Sequence, residues 1–562
     1  MAKRGRAIRD IYDVLVVGSG GAGLQAAISA AESGSKVAVI TKGLTRYSGA
    51  TASGNFSFCA QFGYFGADDT AQRYAGDIVK SGQGLADAEL AAVLAEGAGR
   101  AADALESYGV TWRRDPSGRH ALATFGGHAY PRAIHVGLRT GKIMMTALAR
   151  QAERTHVDIW EYAFAVEVLL QQGRAAGLLV YDIATGELRE VPANAVVIAT
   201  GGPIAMFEFH TNPDEMTGDG HALAYEAGAE FIDLEFIQHY PTVFVAPPAA
   251  RGLHFPTGRL LGFGARLINA AGEEFFHKYT DTPIQFVTRD EVARAIALEV
   301  RAGRGTALGG VYVDCREMPV ANVRDVHFES YFKDLGLHVE RELQEVSTAA
   351  HYGLGGIRID PVGRTCVPGL YAAGEVTGGL HGANRLTGTA LPEAVVFGAV
   401  TGAAAAREAR RATQPGCESR HRAWVESLFA DAATPARSVG EVTASLRGVM
   451  DRNAGVLKSA PELQTALNSI AAIEREQLPL TRPRARQRRF NWEIVQCLEL
   501  RSMLVAARLH CLAALAREES RGAHQRLDWP QRDDANWLSH LVVKAGANGP
   551  ALRREPLRSA HG

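Results

Sequence analysis

From Asp13 to Val17 the chain runs apolar without alternation and stops at Gly18, the pattern of a strand buried on both faces. Leu24 to Ser33 is Ala-rich with helical spacing, and Lys36 to Ile40 is a second apolar run. Strand, Gly-rich turn, helix and strand in that order predict a βαβ unit. Ala-rich helical segments continue to about residue 155. Two strand-like stretches follow, "GLLVYD" and "NAVVIATGG", with the hairpin signal "DIATGE" between them. From about Phe236 to Ala350, prolines, aromatics and charges interleave, which predicts an inserted α+β domain. Gly-rich α/β texture returns at "HYGLGGIRIDPVGRTCVPGLYAAGEVTGGLHGANRL", and after Pro415 the pattern is helical with few strand signals. The expected boundaries are therefore 1–235 and 351–414 for one split α/β domain, 236–350 for the insertion, and 415–562 for a helical domain.

Length supports this division, because 562 residues exceed a single core and suggest two to four domains. A net charge of −1 sets up no field favouring nucleic acid or an acidic membrane. The basic run Thr481 to Arg489 carries no interleaved aromatic residue and reads as a solvated loop. The six cysteines form no CxxC pair, which argues against zinc or a self-contained iron–sulfur cluster and fits reduced cytosolic thiols. The basic start runs into no signal-type segment, and no uncharged apolar run reaches membrane-spanning length. The expectation is a soluble, cytoplasmic protein, peripheral to the inner membrane only through a partner.

The 60 glycines cluster where chemistry is expected. Gly18, Gly20 and Gly23 form G-x-G-x-x-G between strand and helix. The first permits the turn, the second lets the backbone approach a pyrophosphate, and the third lets helix and strand pack closely. An acidic residue at the end of the second strand would suit NAD, but Thr41 and Lys42 stand there. A second glycine block, "GLYAAGEVTGG", argues for the longer FAD, with Glu375 placed to accept hydrogen bonds from its ribityl chain. An ordinary acidic turn residue is the alternative reading of Glu375.

These blocks, in order, resemble the flavoprotein subunits of succinate dehydrogenase and fumarate reductase, with L-aspartate oxidase as a near relative. The matching segments are "GSGGAG", "ATGG", "TGDGHALA", "EFIQHYPT", "TRDEVARAI", "HYGLGGI", "GLYAAGE", "GLHGANRL" and "REESRGAHQRLDWPQRDDANWL", spread over nearly the whole chain. The resemblance implies a Rossmann-type FAD-binding domain, a mobile capping domain and a C-terminal helical domain. It also implies hydride exchange between flavin N5 and a dicarboxylate carbon, with proton transfer at the neighbouring carbon. By the same resemblance the cofactor is contacted by Gly18, Gly20, Gly21, Ala22 and Gly23, by Thr41 and Lys42, and by Ser48, Thr51, Ala52, Ser53 and Gly54. Further along, Ala199, Thr200, Gly201 and Asp219 join that set, as do Gly374, Glu375, Arg385, Ala390 and Leu391.

Arg289 aligns with the family's proton-donating or -accepting arginine; an Arg–Asp pair with Asp290 at a helix start is the structural alternative. His351 and Arg385 align with ligands for one substrate carboxylate, Arg385 as a bidentate fork and His351 as a second donor. His381 is expected to be structural or cofactor-side, and Ser520, Arg521 and His524 near the end to be structural, holding the helical domain against the rest.

Two departures stand out. Respiratory members attach FAD through a histidine in the stretch corresponding to "TRYSGATASGN", which holds none, so noncovalent FAD is expected. Around the far carboxylate, Tyr240 replaces the family histidine, with His239 one place earlier. Thr257 fits the family threonine, Gly258 replaces its glutamate, and Leu261 takes the usual arginine's place with Arg259 nearby. His239 and Tyr240 cannot both face a substrate from one strand unless a bulge intervenes. The leading expectation is an FAD oxidoreductase acting on a C4 dicarboxylate or a close analogue with one carboxylate altered. An iron–sulfur partner would carry its electrons. The alternatives are an L-aspartate-type oxidase releasing hydrogen peroxide and a flavin-binding structural subunit with little turnover.

Overall fold

The computed structural model describes residues 11–54, 57–137, 139–256, 261, 264–283, 287–318, 332, 335–410, 419–430 and 437–557. The βαβ unit forms as its pattern predicts. Strands Tyr12–Val17 and Val37–Ile40 lie parallel with Val14 opposite Val37, and helix Gly21–Glu32 connects them. They belong to a seven-stranded sheet that runs Asp158–Trp160, Val37–Ile40, Tyr12–Val17, Glu187–Ile198, Arg174–Asp182 and Ala163–Gln171. Its seventh strand, Leu370–Ala372, pairs with the end of Glu187–Ile198. That long strand serves two sheet halves. Its start completes the predicted hairpin with Arg174–Asp182, and its end lies parallel between Tyr12–Val17 and Leu370–Ala372. In such sheets, ligands sit beyond the carboxyl ends of the parallel strands.

Helix Ala390–Ala409 packs directly on Gly21–Glu32. The approach is close enough that a Cβ on Gly402 would lie 2.1 Å from the Ala26 carbonyl oxygen. Small residues at this contact let two backbones meet around the cofactor turn.

The segment between residues 236 and 350 builds its own antiparallel sheet, in the order Ile237–Phe244, Gln344–Gly353, Val311–Asp314 and Arg266–Ile268. It also has its own core, including Phe244, Phe255, Phe275, Ile296 and Val313, with helix Arg289–Glu299 packed on it. The first two strands slip register twice. Gln238 faces Tyr352 and His239 faces Ala350, so His351 is an extra residue on its strand.

Helices Val439–Asn453, Ala460–Ala472 and Trp492–Ala516 form the C-terminal bundle over Leu446, Leu463, Ile470, Leu498 and Leu504. The helical reading of everything after Pro415 ends there. Ser539–Gly546 and Gly549–Pro556 form an antiparallel hairpin, and the first of them pairs with Phe231–Ile232. Its turn, Gly546 to Gly549, places Gly549 at φ +117°, a conformation that side chains resist. In the motif around "SRGAH", Arg521 pairs with Glu519 at 2.7 Å and donates to the Gln83 carbonyl at 2.7 Å, tying the C-terminal region to the flavin side. Among the described residues no helix is long and apolar enough to cross a membrane.

In the C-terminal region Lys458 is buried, and its ammonium donates to the Val456 carbonyl at 3.5 Å. Burial, reinforced by the nearby Arg526, pushes its ammonium down from 10.5 to about 8. A base held below its unfolded value binds fewer protons when folded. Its penalty is therefore fully present below about pH 8 and fades as pH rises toward 10.5. Lys458→Met is expected to stabilise the fold at pH 7 by up to roughly 3 kcal/mol and to flatten the rise in Tm over that alkaline window. Thermal melts of both proteins between neutral and alkaline pH check this.

Candidate active site

A cavity of about 750 Å³ opens at the carboxyl ends of the parallel strands, where Gly18, Thr41, Ala199 and Ala373 follow the last strand residues. Nearly all the residues expected to hold the cofactor line it. They include Gly18, Gly20, Gly21 and Ala22 in the turn, Ser48, Thr51, Ser53 and Gly54 in the next loop, and Thr200, Gly201, Gly374, Glu375, Ala390 and Leu391 opposite. Gly23 and Ala52 do not. A Cβ on Gly23 would sit 1.9 Å from the Gly18 carbonyl oxygen, so the third glycine serves helix–strand packing and does not line the cavity. Ala52 turns into the hydrophobic core instead. Gly23→Ala is expected to give protein that copurifies with little or no flavin, read from absorbance per mole of protein.

The arrangement fits a dinucleotide on its own terms. Helix Gly21–Glu32 has no side-chain cap and no acidic residue in its first turn, leaving its amides and partial positive charge to an anion. Gly20 is open on the cavity side, with no heavy atom nearer than 3.9 Å to a Cβ built there. The buried Thr200 hydroxyl has no partner among the described residues. Glu375 accepts from the Gly353 amide at 3.2 Å, and burial pushes its carboxyl up to about 8. At neutral pH it is largely protonated, so it can donate to a cofactor hydroxyl as well as accept. Lys42 lines the cavity, but its ammonium is committed to Asp219 at 2.8 Å and Glu499 at 2.5 Å. Burial opposes its charge, and those two carboxylates outweigh burial and hold it above the ordinary lysine range.

The other end of the same cavity gathers Tyr240, His254, Arg289, His351 and Arg385. Arg289 is the first residue of its helix, which starts with a capping box between Thr288 and Glu291. Its guanidinium lies 4.8 Å from the centre of the Tyr240 ring, and burial pushes it down to about 10. The alternative of an Arg289–Asp290 pair is not what forms, because Asp290 accepts from Asn384 at 2.9 Å. Arg385 donates to Gln238 at 3.1 Å, contacts His351 Nε2 at 3.3 Å and lies over the Tyr352 ring, its Nε having no partner among the described residues. Among the described residues neither arginine has a carboxylate within ion-pair distance. The cavity therefore presents one buried cation, Arg385, and one half-buried cation, Arg289, neither paired with a carboxylate among the described residues, an arrangement that costs stability unless an anion binds.

His351 differs from its expected part. Arginine only donates, so Nε2 accepts from Arg385, and Nδ1 carries the hydrogen toward Thr211 Oγ1 at 2.7 Å. In this tautomer His351 orients Arg385 and offers no second donor to a substrate. Burial, with His254 and the two arginines nearby, holds it neutral. The bulge at His351 lets it and Tyr352 both line the cavity.

His239 does not reach the cavity. Strand alternation puts it on the face opposite Tyr240, edge-on to Phe207 with ring centres 5.8 Å apart and Nδ1 toward the Ile237 carbonyl at 3.2 Å. Thr257, with Gly258 and Arg259, lies outside the described residues. His254 was not anticipated. Its ring lies 4.5 Å from that of Tyr240 and 5.3 Å from that of His351, and its buried Nε2 has no partner among the described residues. Its position three residues before Thr257 was the one available signal.

Fold and cavity together define an FAD-dependent oxidoreductase. Comparison with known proteins gives the family. Residues 13–391 match the FAD binding domain family, and residues 443–561 match the family described as fumarate reductase flavoprotein C-term. The chain belongs to the fumarate reductase/succinate dehydrogenase flavoprotein family. It is 35% identical to a fumarate reductase (CoM/CoB) subunit of Methanothermobacter marburgensis, over 92% of this chain and 94% of that one. It is 33% identical to L-aspartate oxidase 1 of Ralstonia nicotianae, over 92% and 96%. Mycobacterium smegmatis Sdh1, solved in complex with UQ1, superposes with a TM-score of 0.88 at 33% identity, covering 98% of this chain and 95% of that one.

Proposed function

We propose that the protein reduces a C4 dicarboxylate of the fumarate type, with Arg289 delivering the proton and Arg385 holding one carboxylate. The observation that carries this reading is the pair of guanidiniums at one end of the cofactor cavity, Arg385 buried and Arg289 half-buried, neither with a carboxylate within ion-pair distance among the described residues. A dianion neutralises both, and each guanidinium gains the charge-assisted hydrogen bonds that the cavity denies it. Bound FAD supplies the hydride. Arg385, aimed by His351 and Gln238, anchors a carboxylate and so fixes which alkene carbon faces the cofactor. Arg289, stacked on Tyr240 and carrying its proton at neutral pH, gives that proton to the neighbouring carbon. The Tyr240 ring supports the guanidinium from one side, its centre 4.8 Å away. Two cations favour a substrate with both carboxylates intact over an amide or ester analogue.

The L-aspartate oxidase reading draws on the Ralstonia relative. An α-ammonium group beside these two guanidiniums would add a third positive charge where, among the described residues, neither arginine has a paired carboxylate, which favours the reductase. Electrons would arrive through a partner, consistent with the Methanothermobacter relative being named as one subunit of its enzyme; an iron–sulfur protein is the class that suits this chain, which has no CxxC motif of its own. FAD would be held noncovalently, since the stretch from Thr45 to Asn55 has no histidine. Acid precipitation should leave all flavin in the supernatant; colour retained in the pellet would contradict that attachment. An anaerobic screen of dicarboxylates against the reduced enzyme tests the main reading, with fumarate expected to restore flavin absorbance. Peroxide released on adding L-aspartate in air would transfer the assignment to the oxidase.

A further inference from the structure

We propose that Asn384 is a positioning residue that fastens the Arg289 helix to the flavin side of the cavity, through the side-chain series Arg385–Gln238–Asn384–Asp290. Arg385 Nη2 donates to Gln238 Oε1 at 3.1 Å, Gln238 Nε2 donates to Asn384 Oδ1 at 3.0 Å, and Asn384 Nδ2 donates to Asp290 Oδ1 at 2.9 Å. The two ends set the direction of the series. A guanidinium can only donate and a carboxylate can only accept, so each amide between them has one consistent orientation. Gln238 and Asn384 are buried, so breaking a link strands a polar group without water to replace the partner.

The series joins chain segments that lie far apart in sequence. Arg385 and Asn384 belong to "GLHGANRL" beside the cofactor turn. Gln238 lies on the first strand of the inserted sheet, and Asp290 is the second residue of the helix that Arg289 starts. Gln238 Nε2 also lies 3.4 Å from the Arg385 carbonyl, and the Asn384 carbonyl accepts from Ser81 at 3.4 Å, so the flavin-side anchor is fixed at two points. On the insertion side, the Asn384–Asp290 bond acts one residue from Arg289. Holding Asp290 sets where the first turn of that helix lies, and therefore how far the proton-bearing guanidinium stands from the carboxylate anchor Arg385. A shift of about 1 Å at such a site can cost roughly a hundredfold in rate.

The consequence for catalysis rests on Arg289 being the proton donor; the mechanical tie does not. Both are tested with Asn384→Asp and the reversed pair Asp290→Asn/Asn384→Asp. The single variant opposes two carboxylates and should open the contact. The double variant restores an amide–carboxylate bond in the opposite sense, while Gln238 Nε2 keeps its acceptor. Hydrogen exchange of the amides in 289–299 is expected to speed up about tenfold in N384D and to return near the wild-type rate in the double variant. For fumarate, kcat should fall by about tenfold or more in N384D with KM changed less than about threefold, and the double variant should recover most of it. If N384D does not fold, Asn384→Ala takes its place with the same expected losses. A double variant no better than N384D, or N384A with wild-type exchange and kcat, overturns the proposal. Should wild-type enzyme show no fumarate turnover, the functional reading fails while the exchange data still decide whether the tie exists.

Discussion

Arg289→Lys is expected to remove nearly all turnover, about a thousandfold in kcat, while flavin content and fold stay as in the wild type. Lysine keeps the charge but replaces a planar fork on a rigid stem with a point donor that cannot lie flat on Tyr240 at the 4.8 Å now observed. The proton then leaves from the wrong place. The same residue sets a pH dependence. Burial lowers the Arg289 guanidinium to about 10, with Tyr240 opposing and Arg385 assisting the shift. It is protonated, and so competent as an acid, throughout the neutral range; fumarate reduction should hold steady there and decline only as pH passes about 10. Dicarboxylate oxidation needs the deprotonated form and should rise with pH over the same interval. Rate profiles measured in both directions, with flavin retention checked at each pH, test the assignment.

Arg385→Ala should act on binding first. Removing it leaves the substrate carboxylate without its fork, strands Gln238 Oε1, and frees His351 from the contact that fixes its tautomer. A loss of about 3 kcal/mol, roughly a hundredfold in kcat/KM, is expected, mostly as a higher KM. Direct titration with a non-reacting dicarboxylate, followed through flavin absorbance, separates this from a change in chemistry. An unchanged dissociation constant would mean that the anion is held elsewhere.

Much of this could be read from the chain because it depends on local pattern. The turn Gly18 to Gly23 lies between two uninterrupted apolar runs, and a strand–turn–helix with that spacing has few other ways to pack. "DIATGE" announced its hairpin because a polar, Gly-containing turn between apolar strands has one common outcome. The final hairpin was missed because it follows the long helix Trp492–Ala516, and its buried residues Leu541 and Val542 owe their burial to pairing with a segment about 300 residues earlier. The site divided in the same way. Residues in continuous motifs, such as Arg289 and Arg385, were found in the cavity. His239 was assigned by its nearness to a motif, and strand alternation turned it away. His254 belongs to no motif and reaches the site only because the inserted sheet folds its loop against Tyr240. The hydrogen on His351 could not be inferred from sequence, since Arg385 and Thr211 decide it jointly.

The most direct test is single-turnover reoxidation. Enzyme reduced anaerobically is mixed with fumarate, and flavin absorbance is followed for the wild type and Arg289→Lys. Rapid, saturable reoxidation in the wild type, nearly lost in the variant although flavin remains bound, is the predicted result. Wild-type flavin that stays reduced in the presence of fumarate, or equal rates in the two proteins, would contradict a fumarate-type reductase with Arg289 as its acid.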